Sequence, residues 1–328
     1  MNDAKQPQSE RPCRKVVGLS ETHREKLSLL RKRAVKTWRI YSKNRFGMVG
    51  LAILLGFVVM AVFADQIMYI LHIIGGWDFA YGPFDKVEYP GAGTPPSSEH
   101  WLGTDQWGFD LLSRVIYGSR VTLIIGFVAT LVSMVLGAGV GILGGFWGGW
   151  KDAVLMRITD VFLVIPWLVL MIVLAFVLPG GPSVWKVVFV IGITGWSSTA
   201  RIVRAQVFSV KERAFVERAR AIGAGDMHIV RKHVFPNVFP LVFANAILTV
   251  ALSILSESTL SFIGLGPQSI NVVTWGNMLE DAINASAMQN ELYWWIVMPG
   301  ACIVLVVLGF TFMGHALDDI FNPKLRKR

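Results

Sequence analysis

Apolar and polar residues alternate along this chain in long blocks. Six apolar runs approach the roughly 20 residues that a membrane-spanning helix needs. Phe46–Ile70 is interrupted only by Asp65, and Val121–Gly148 carries no charge. Ala153–Leu178 holds Arg157 and Asp160 near its start, and the shorter Val184–Ala200 contains Lys186. Val238–Ile263 contains Glu257, and Trp294–Ala316 is clean until His315. The pattern predicts an all-α membrane protein with six transmembrane helices.

Polar blocks separate these runs. Thr22 and Glu25 fit a T-x-x-E capping box. Leu27, Leu30, Ala34, Trp38 and Tyr41 then recur at three- and four-residue spacing, with Lys and Arg between them. This predicts an amphipathic helix on the inner membrane surface, behind a disordered basic tail over residues 1–19. The first apolar run lies behind 45 mostly polar residues, so it reads as a retained anchor rather than a signal peptide.

Charge decides the sidedness. Of the 31 Lys and Arg, 13 lie in residues 1–45, 2 in 146–157, 8 in 201–233 and 4 after Phe321. Only Lys86, Arg114, Arg120 and Lys186 remain, and residues 267–293 hold none. With six spans the basic segments fall on one side, so the positive-inside rule places both termini and residues 201–233 in the cytoplasm. The net charge of +9 is therefore a topology signal rather than a nucleic-acid footprint. The overall charged fraction of 16% is also well below the roughly 25% of soluble domains. Cys13 sits in a polar tail and Cys302 in an apolar run, which argues against a disulfide or a thiolate metal site.

One polar block is more ordered than charge placement requires. In "ERARAIGAGDMHIVRKHVFPN" (217–237), good helix formers run to Ile222 and Gly223-Ala224-Gly225 breaks them. Asp226 then stands as an N-cap for a second piece over 227–234, and Pro236 opens the next span. Three readings compete for this helix–turn–helix: a plain basic connection, a lipid-binding surface helix, or a docking element for a cytoplasmic partner.

The stretch resembles the "EAA" loop of ABC importer permeases. Glu217, Ala219, Gly223 and Pro236 match that pattern at its spacing, while Arg218 replaces its second residue and His233 and Phe235 stand where Ile and Leu are usual. Other segments resemble the dipeptide/oligopeptide/nickel permeases in their "C"-type subunit. They are "WLGTDQWGFDLLSRVIYGSR" (101–120), "ESTLSFIGLG" (257–266), "WGNML" (275–279), "WWIVMPG" (294–300) and "LDDIFNPKLR" (317–326).

The resemblance implies a type I ABC importer permease fold with a tail over 1–45, a first helix and long outer loop over 46–118, and a core over 119–328. It implies that the loop at 211–235 couples to a cytoplasmic ATPase, with Glu217 as acidic anchor, Gly223 as turn, and Arg218, Ala219, Asp226 and Pro236 alongside. The implied partners are a second homologous permease forming a heterodimer, one or two ABC ATPase subunits and an extracytoplasmic binding protein. ATP and Mg would be bound by those ATPase subunits, with no cofactor in this chain. The implied cargo is a short peptide, with nickel or oligosaccharides as alternatives. The first outer loop (72–118), which carries Asp78, Asp85, Glu88, Glu99, Asp105 and Asp110, would face the binding protein; Phe109 stands where the family usually has Arg.

Other residues invite mechanical readings. Gly137, Gly141, Gly145 and Gly149 recur every four residues, which predicts a bare stripe for tight helix packing or for sliding. Arg157 and Asp160 at i, i+3 predict a structural pair or a substrate contact, and Pro166 predicts a kink. Glu257 at membrane depth is a packing or gating residue, partnered by Ser256, Ser258 or Thr259, or a contact for a peptide amine. Thr104 or Asp105 is a candidate cap for a short helix running to Tyr117. The sequence contains no H-E-x-x-H, G-x-S-x-G or G-x-x-x-x-G-K-[ST] pattern, so an enzyme that hydrolyses ATP itself is not expected. An ion-coupled carrier or channel subunit remains the rival of a different class, although most spans lack the mid-depth charges such proteins use.

Overall fold

The computed structural model describes residue 32 and residues 35–75, 93–268 and 272–321. These divide into two units, one ending at Lys43 and one beginning at Asn44. In the first, residues 35–41 are helical and the Trp38 and Tyr41 rings stack with centroids 6.0 Å apart. The capping box and the earlier apolar positions Leu27, Leu30 and Ala34 lie outside the described residues.

The second unit is helical. Among the described residues, five helices are long and apolar enough to cross a membrane, or six if one bent pair counts as a span. Helix α1 spans Arg45–Val62 and starts where the Asn44 side chain accepts from the Gly47 N–H at 3.0 Å. The first apolar run does not continue as one helix to Ile70. It is cut at Phe63, and a second helix, α2, runs over Ala64–Gly75. Arg120 holds this break: its Nε donates to the Ala61 carbonyl at 2.6 Å and a terminal nitrogen donates to Asp65 at 2.7 Å. A basic side chain on the last carbonyls is a recurrent way to end a helix.

Helix α3 runs over Leu111–Trp147 and begins ten residues before the apolar pattern does. Its N-cap is Asp110, which accepts from the Ser113 N–H at 2.9 Å; neither Thr104 nor Asp105 caps it. The short outer helix expected to end at Tyr117 is therefore the first part of this span.

The third apolar run breaks completely. Helix α4 covers Gly149–Val164 and α5 covers Trp167–Val177, with 96° between them. Pro166 explains the break: it offers no N–H, and it forces Ile165 into an extended conformation (φ −73°, ψ 128°). Helix α6, Val184–Lys211, starts at a Ser183 cap and extends eleven residues past the predicted Ala200. The short helix α7, Ala214–Ala221, follows. Helix α8 is continuous over Asp226–Phe262. Helices α9 (Trp275–Asn284) and α10 (Tyr293–Phe321) complete the unit.

The closest packing joins α3 to α6. A Cβ on Gly137 would lie 2.7 Å from the Trp196 carbonyl oxygen and from the Thr199 Cβ. At Gly141 it would lie 2.7 Å from the Ala200 oxygen and the Val203 Cβ, and at Gly145 2.8 Å from the Val207 Cβ. Three members of the predicted stripe thus form one seam against a helix of the same chain. Gly149 does not belong to it. It lies past the end of α3 with φ +59°, and its missing side chain faces open space.

The seam makes a stability prediction. Gly141→Val drives a branched side chain into a backbone oxygen that has no room to move, and should cost about 1–3 kcal/mol or more. Gly139→Ala has nothing within 4 Å of the new methyl and should be neutral or slightly stabilising. Thermal unfolding of the two purified variants in detergent checks the contrast; equal melting temperatures would refute it.

Candidate functional site: the knuckle between α6 and α8 and the Arg114 clasp

The polar block between α6 and α8 folds as a fixed knuckle. Two basic residues secure the end of α6. Arg204 donates two hydrogen bonds to Asp152 of α4, and Lys211 Nζ donates to the Gly145 carbonyl at 3.0 Å. Both cations also lie over the Phe208 ring, at 4.6 and 4.2 Å. Helix α7 then turns Val216 and Ala219 inward. They pack with Val203, Val207 and Val210 of α6, Phe146 of α3, and Ile229, Val230 and Val234 of α8.

Glu217 and Arg218 are exposed on the opposite face, and Arg218 Nε donates to the Ala214 carbonyl at 3.1 Å. The replacement of the usual second motif residue by Arg218 therefore leaves the packed position, Ala219, intact.

The turn is a Schellman-type stop. The Gly223 N–H bonds the Arg220 carbonyl at 2.9 Å and the Ala224 N–H bonds the Ala219 carbonyl at 3.0 Å. Gly223 sits at φ +83°, a left-handed conformation that glycine adopts without Cβ strain. Asp226 is not an N-cap: Gly225 holds that position without a side-chain bond, and Asp226 is the first helical residue.

Pro236 does not begin a separate helix either. It lies inside continuous α8, just after a π turn over Val230–Val234. An ideal α turn would press the proline ring against the Lys232 carbonyl; the wider turn gives it room. The Asn237 amide donates to the His233 carbonyl at 2.7 Å across the same turn.

Sequence reasoning missed the knuckle's most exposed apolar residues. Ile222 is 85% exposed and Met227 59%, one on each side of the Gly223 turn. Their signal was present as apolar residues in a charged block where no periodicity calls for them.

The membrane-depth residues take other partners than expected. Asp160 accepts from Arg201 of α6, so the Arg157–Asp160 pair does not form. Arg157 shares a helix face with Asp160, but it is Arg201 that reaches Asp160, from the neighbouring helix.

Glu257 is fully buried. It accepts from the Ser261 hydroxyl at 2.8 Å and the Ser258 hydroxyl at 3.4 Å. Ser256 and Thr259 instead bond carbonyls of their own helix, at Leu252 and Leu255. The missed partner, Ser261, is one turn along and therefore on the same face. Gly276 of α9 packs on this patch: a Cβ there would lie 2.6 Å from the Ser261 Cβ.

Around Arg114 a clasp joins three segments. Asp105 accepts from the backbone N–H groups of Trp107 and Phe109 at 2.9 and 2.8 Å and from Arg114 at 2.8 Å. The other end of the Arg114 guanidinium donates to Asp281 of α9 at 2.8 Å. Phe109 packs under that guanidinium, 5.3 Å from ring centre to carbon. Trp107 meets Trp295 of α10 edge-on at 5.4 Å. Asp78, Asp85, Lys86 and Glu88 of the same loop lie outside the described residues. Burial pushes the Asp105 carboxyl above the usual carboxylate range, while Arg114 and the two N–H groups pull it back.

Removing the cation leaves burial acting with less opposition. Arg114→Met should cost about 3–5 kcal/mol near neutral pH, because it strands a buried carboxylate. A raised native pKa means that the folded state holds a proton where the unfolded state has lost it. The cost should therefore be full above the raised native value and shrink as pH falls toward the unfolded value of about 3.8. Denaturation of the variant across that range checks the sign; a cost that grows on acidification would contradict it.

The chain matches the family model for the binding-protein-dependent transport system inner membrane component over residues 137–327. It also matches the N-terminal TM domain of oligopeptide transport permease C over residues 34–81. It is 32% identical to the oligopeptide transport system permease protein OppC of Bacillus subtilis over 307 residues, 92% of this chain and 94% of that protein. It is 33% identical to the dipeptide transport system permease protein DppC of the same organism, over 88% of this chain and 85% of that one. The probable D,D-dipeptide transport system permease protein DdpC of Escherichia coli is 34% identical over 79% of this chain and 84% of its own length. A chain of the inward-facing MetNI methionine ABC transporter overlays loosely, with a TM-score of 0.49 at 18% identity, over 64% of this chain and 95% of that one. With its apolar helices and its charge-sided loops, the chain belongs to the binding-protein-dependent inner-membrane components of ABC importers, in the peptide-permease "C" branch.

Proposed function

We propose that this chain is one of two permease subunits of an importer for short peptides, driven by ATP bound and hydrolysed on separate cytoplasmic subunits. The relatives' names support the cargo class: oligopeptide, dipeptide and D,D-dipeptide permeases. The observation that carries the coupling role is the knuckle at 211–235. Its inner face is bolted to the ends of α3, α6 and α8, while its outer face offers Ile222 and Met227 beside Glu217, Arg218 and Asp226. An apolar pair ringed by charge on a rigid support is the anatomy of an interface centre with a polar rim.

In this reading, an ATPase subunit seats a groove over Ile222 and Met227. Its closure on ATP pulls the knuckle, and α6 and α8 carry the displacement into the bilayer. One or two such subunits supply the nucleotide and Mg sites. A homologous permease completes the pathway as a heterodimer, and an extracytoplasmic binding protein delivers peptide to the outer loops.

Two substitutions test the coupling. Ile222→Asp changes only an exposed side chain, so stability should stay within about 0.5 kcal/mol, while ATPase co-purification and peptide uptake are lost. Gly223→Pro cannot adopt the positive φ of the turn and should abolish uptake with the protein still inserted in the membrane. Normal uptake in both variants would rule the docking role out.

A further inference from the structure

The break between α4 and α5 has a chemical neighbour that the coupling reading leaves unused. Beside it lies a cavity of about 290 Å³, with residues 162–167 as one wall. Three other helices supply hydroxyls to the same space: Ser133 from α3, Thr194, Ser197 and Ser198 from α6, and Thr249 and Ser253 from α8. The lining holds no charged side chain.

Two independent features mark this cavity as more than a packing gap. The first is the break itself. Backbone that leaves the helix at membrane depth has polar groups that lipid cannot satisfy, and it persists only where it is buried or lines a wet cavity. Pro166 removes one donor at that point, and the last carbonyls of α4 lose their helical partners.

The second is Ser133. Its residue lines the cavity and is buried, and its hydroxyl has no hydrogen-bond partner. Neighbouring hydroxyls show what partnered ones look like here. Thr194 accepts from Trp167 Nε1 at 3.1 Å, and Ser253 shares a hydrogen bond with Thr130 at 3.0 Å. Gly195 brings α6 backbone close enough that a Cβ there would lie 3.1 Å from the Ser133 oxygen. A buried hydroxyl left unpaired loses the hydrogen bonds it made in water, so a group that supplies one is favoured.

We propose that this cavity is a resting site for the transported solute, one that takes an uncharged peptide-bond amide through the hydroxyls that α6 and α8 supply around Ser133. Hydroxyls both donate and accept, so they match an amide N–H and C=O in either direction. The absence of charge disfavours a terminal ammonium or carboxylate. The volume lies near the lower end of the roughly 300–1,000 Å³ of ligand sites, which suits one residue of a peptide rather than the whole molecule. The wall of aromatic and aliphatic side chains, Phe162, Leu163 and Trp167, leaves side-chain identity loosely specified. This inference rests on the peptide-import reading.

Cysteine labelling tests it on the complete transporter in proteoliposomes. The native thiols are removed as Cys13→Ser and Cys302→Ala, and Ser198→Cys or Thr249→Cys is introduced singly. The probe is 2-aminoethyl methanethiosulfonate, with trialanine and the binding protein present or absent during ATP turnover; peptide uptake is measured in parallel. Labelling at either position, slowed severalfold by trialanine, is the expected result. No labelling at either position would show a dry cavity and overturn the proposal. Labelling that trialanine does not slow, in vesicles that do take up peptide, would show a wet cavity without solute and overturn it while leaving peptide import standing. Failure of the transporter with native serine and threonine to take up any peptide would sink the import reading, and this occupant with it.

Discussion

The close approach of α3 and α6 along Gly137, Gly141 and Gly145 is the contact on which the rest of the unit depends. Inside a membrane the hydrophobic effect does little to hold helices together, because lipid tails are as apolar as leucine. Van der Waals contact must do so, and it requires backbones near enough for side chains of one helix to reach the backbone of the other. The glycines permit this: the Ala200 carbonyl and the Val203 and Val207 side chains sit where a Cβ would be. Because the seam runs to the C-terminal ends of both helices, it also sets where the chain leaves α6. The Lys211 bond to Gly145 is its last rung.

That emergence point explains the stiffness of the knuckle. A loop of twenty polar residues would ordinarily move with solvent. Here Val216, Ala219, Ile229 and Val234 extend the α6 core into the loop. The Schellman stop at Gly223 then fixes the angle between the short helix and α8. With no break between Asp226 and Phe262, displacement of the knuckle is displacement of a span. The π turn lets Pro236 sit within that helix without severing it.

Several charged groups of the described residues are paired where water is scarce. Arg114 bridges two aspartates, Arg204 binds Asp152 twice, and Glu257 is met by serines on its own helix. Ser133 is the contrasting case, a buried hydroxyl without a partner beside broken backbone.

The amino-acid sequence by itself determined the number of apolar runs and the position of the knuckle, because hydropathy over twenty residues and glycine turns act locally. It placed Gly223 at the turn, Pro166 at the disrupted span and three of the four stripe glycines correctly. Tertiary structure alone decided the pairings. Asp160 chose Arg201 over its own-helix neighbour, Glu257 met Ser261, Asp110 rather than Thr104 or Asp105 capped α3, and Ile222 and Met227 were left outside. Spacing along one helix shows which residues share a face. Which neighbour that face meets depends on the rotation and depth of the other helices, and those follow from packing across the whole bundle.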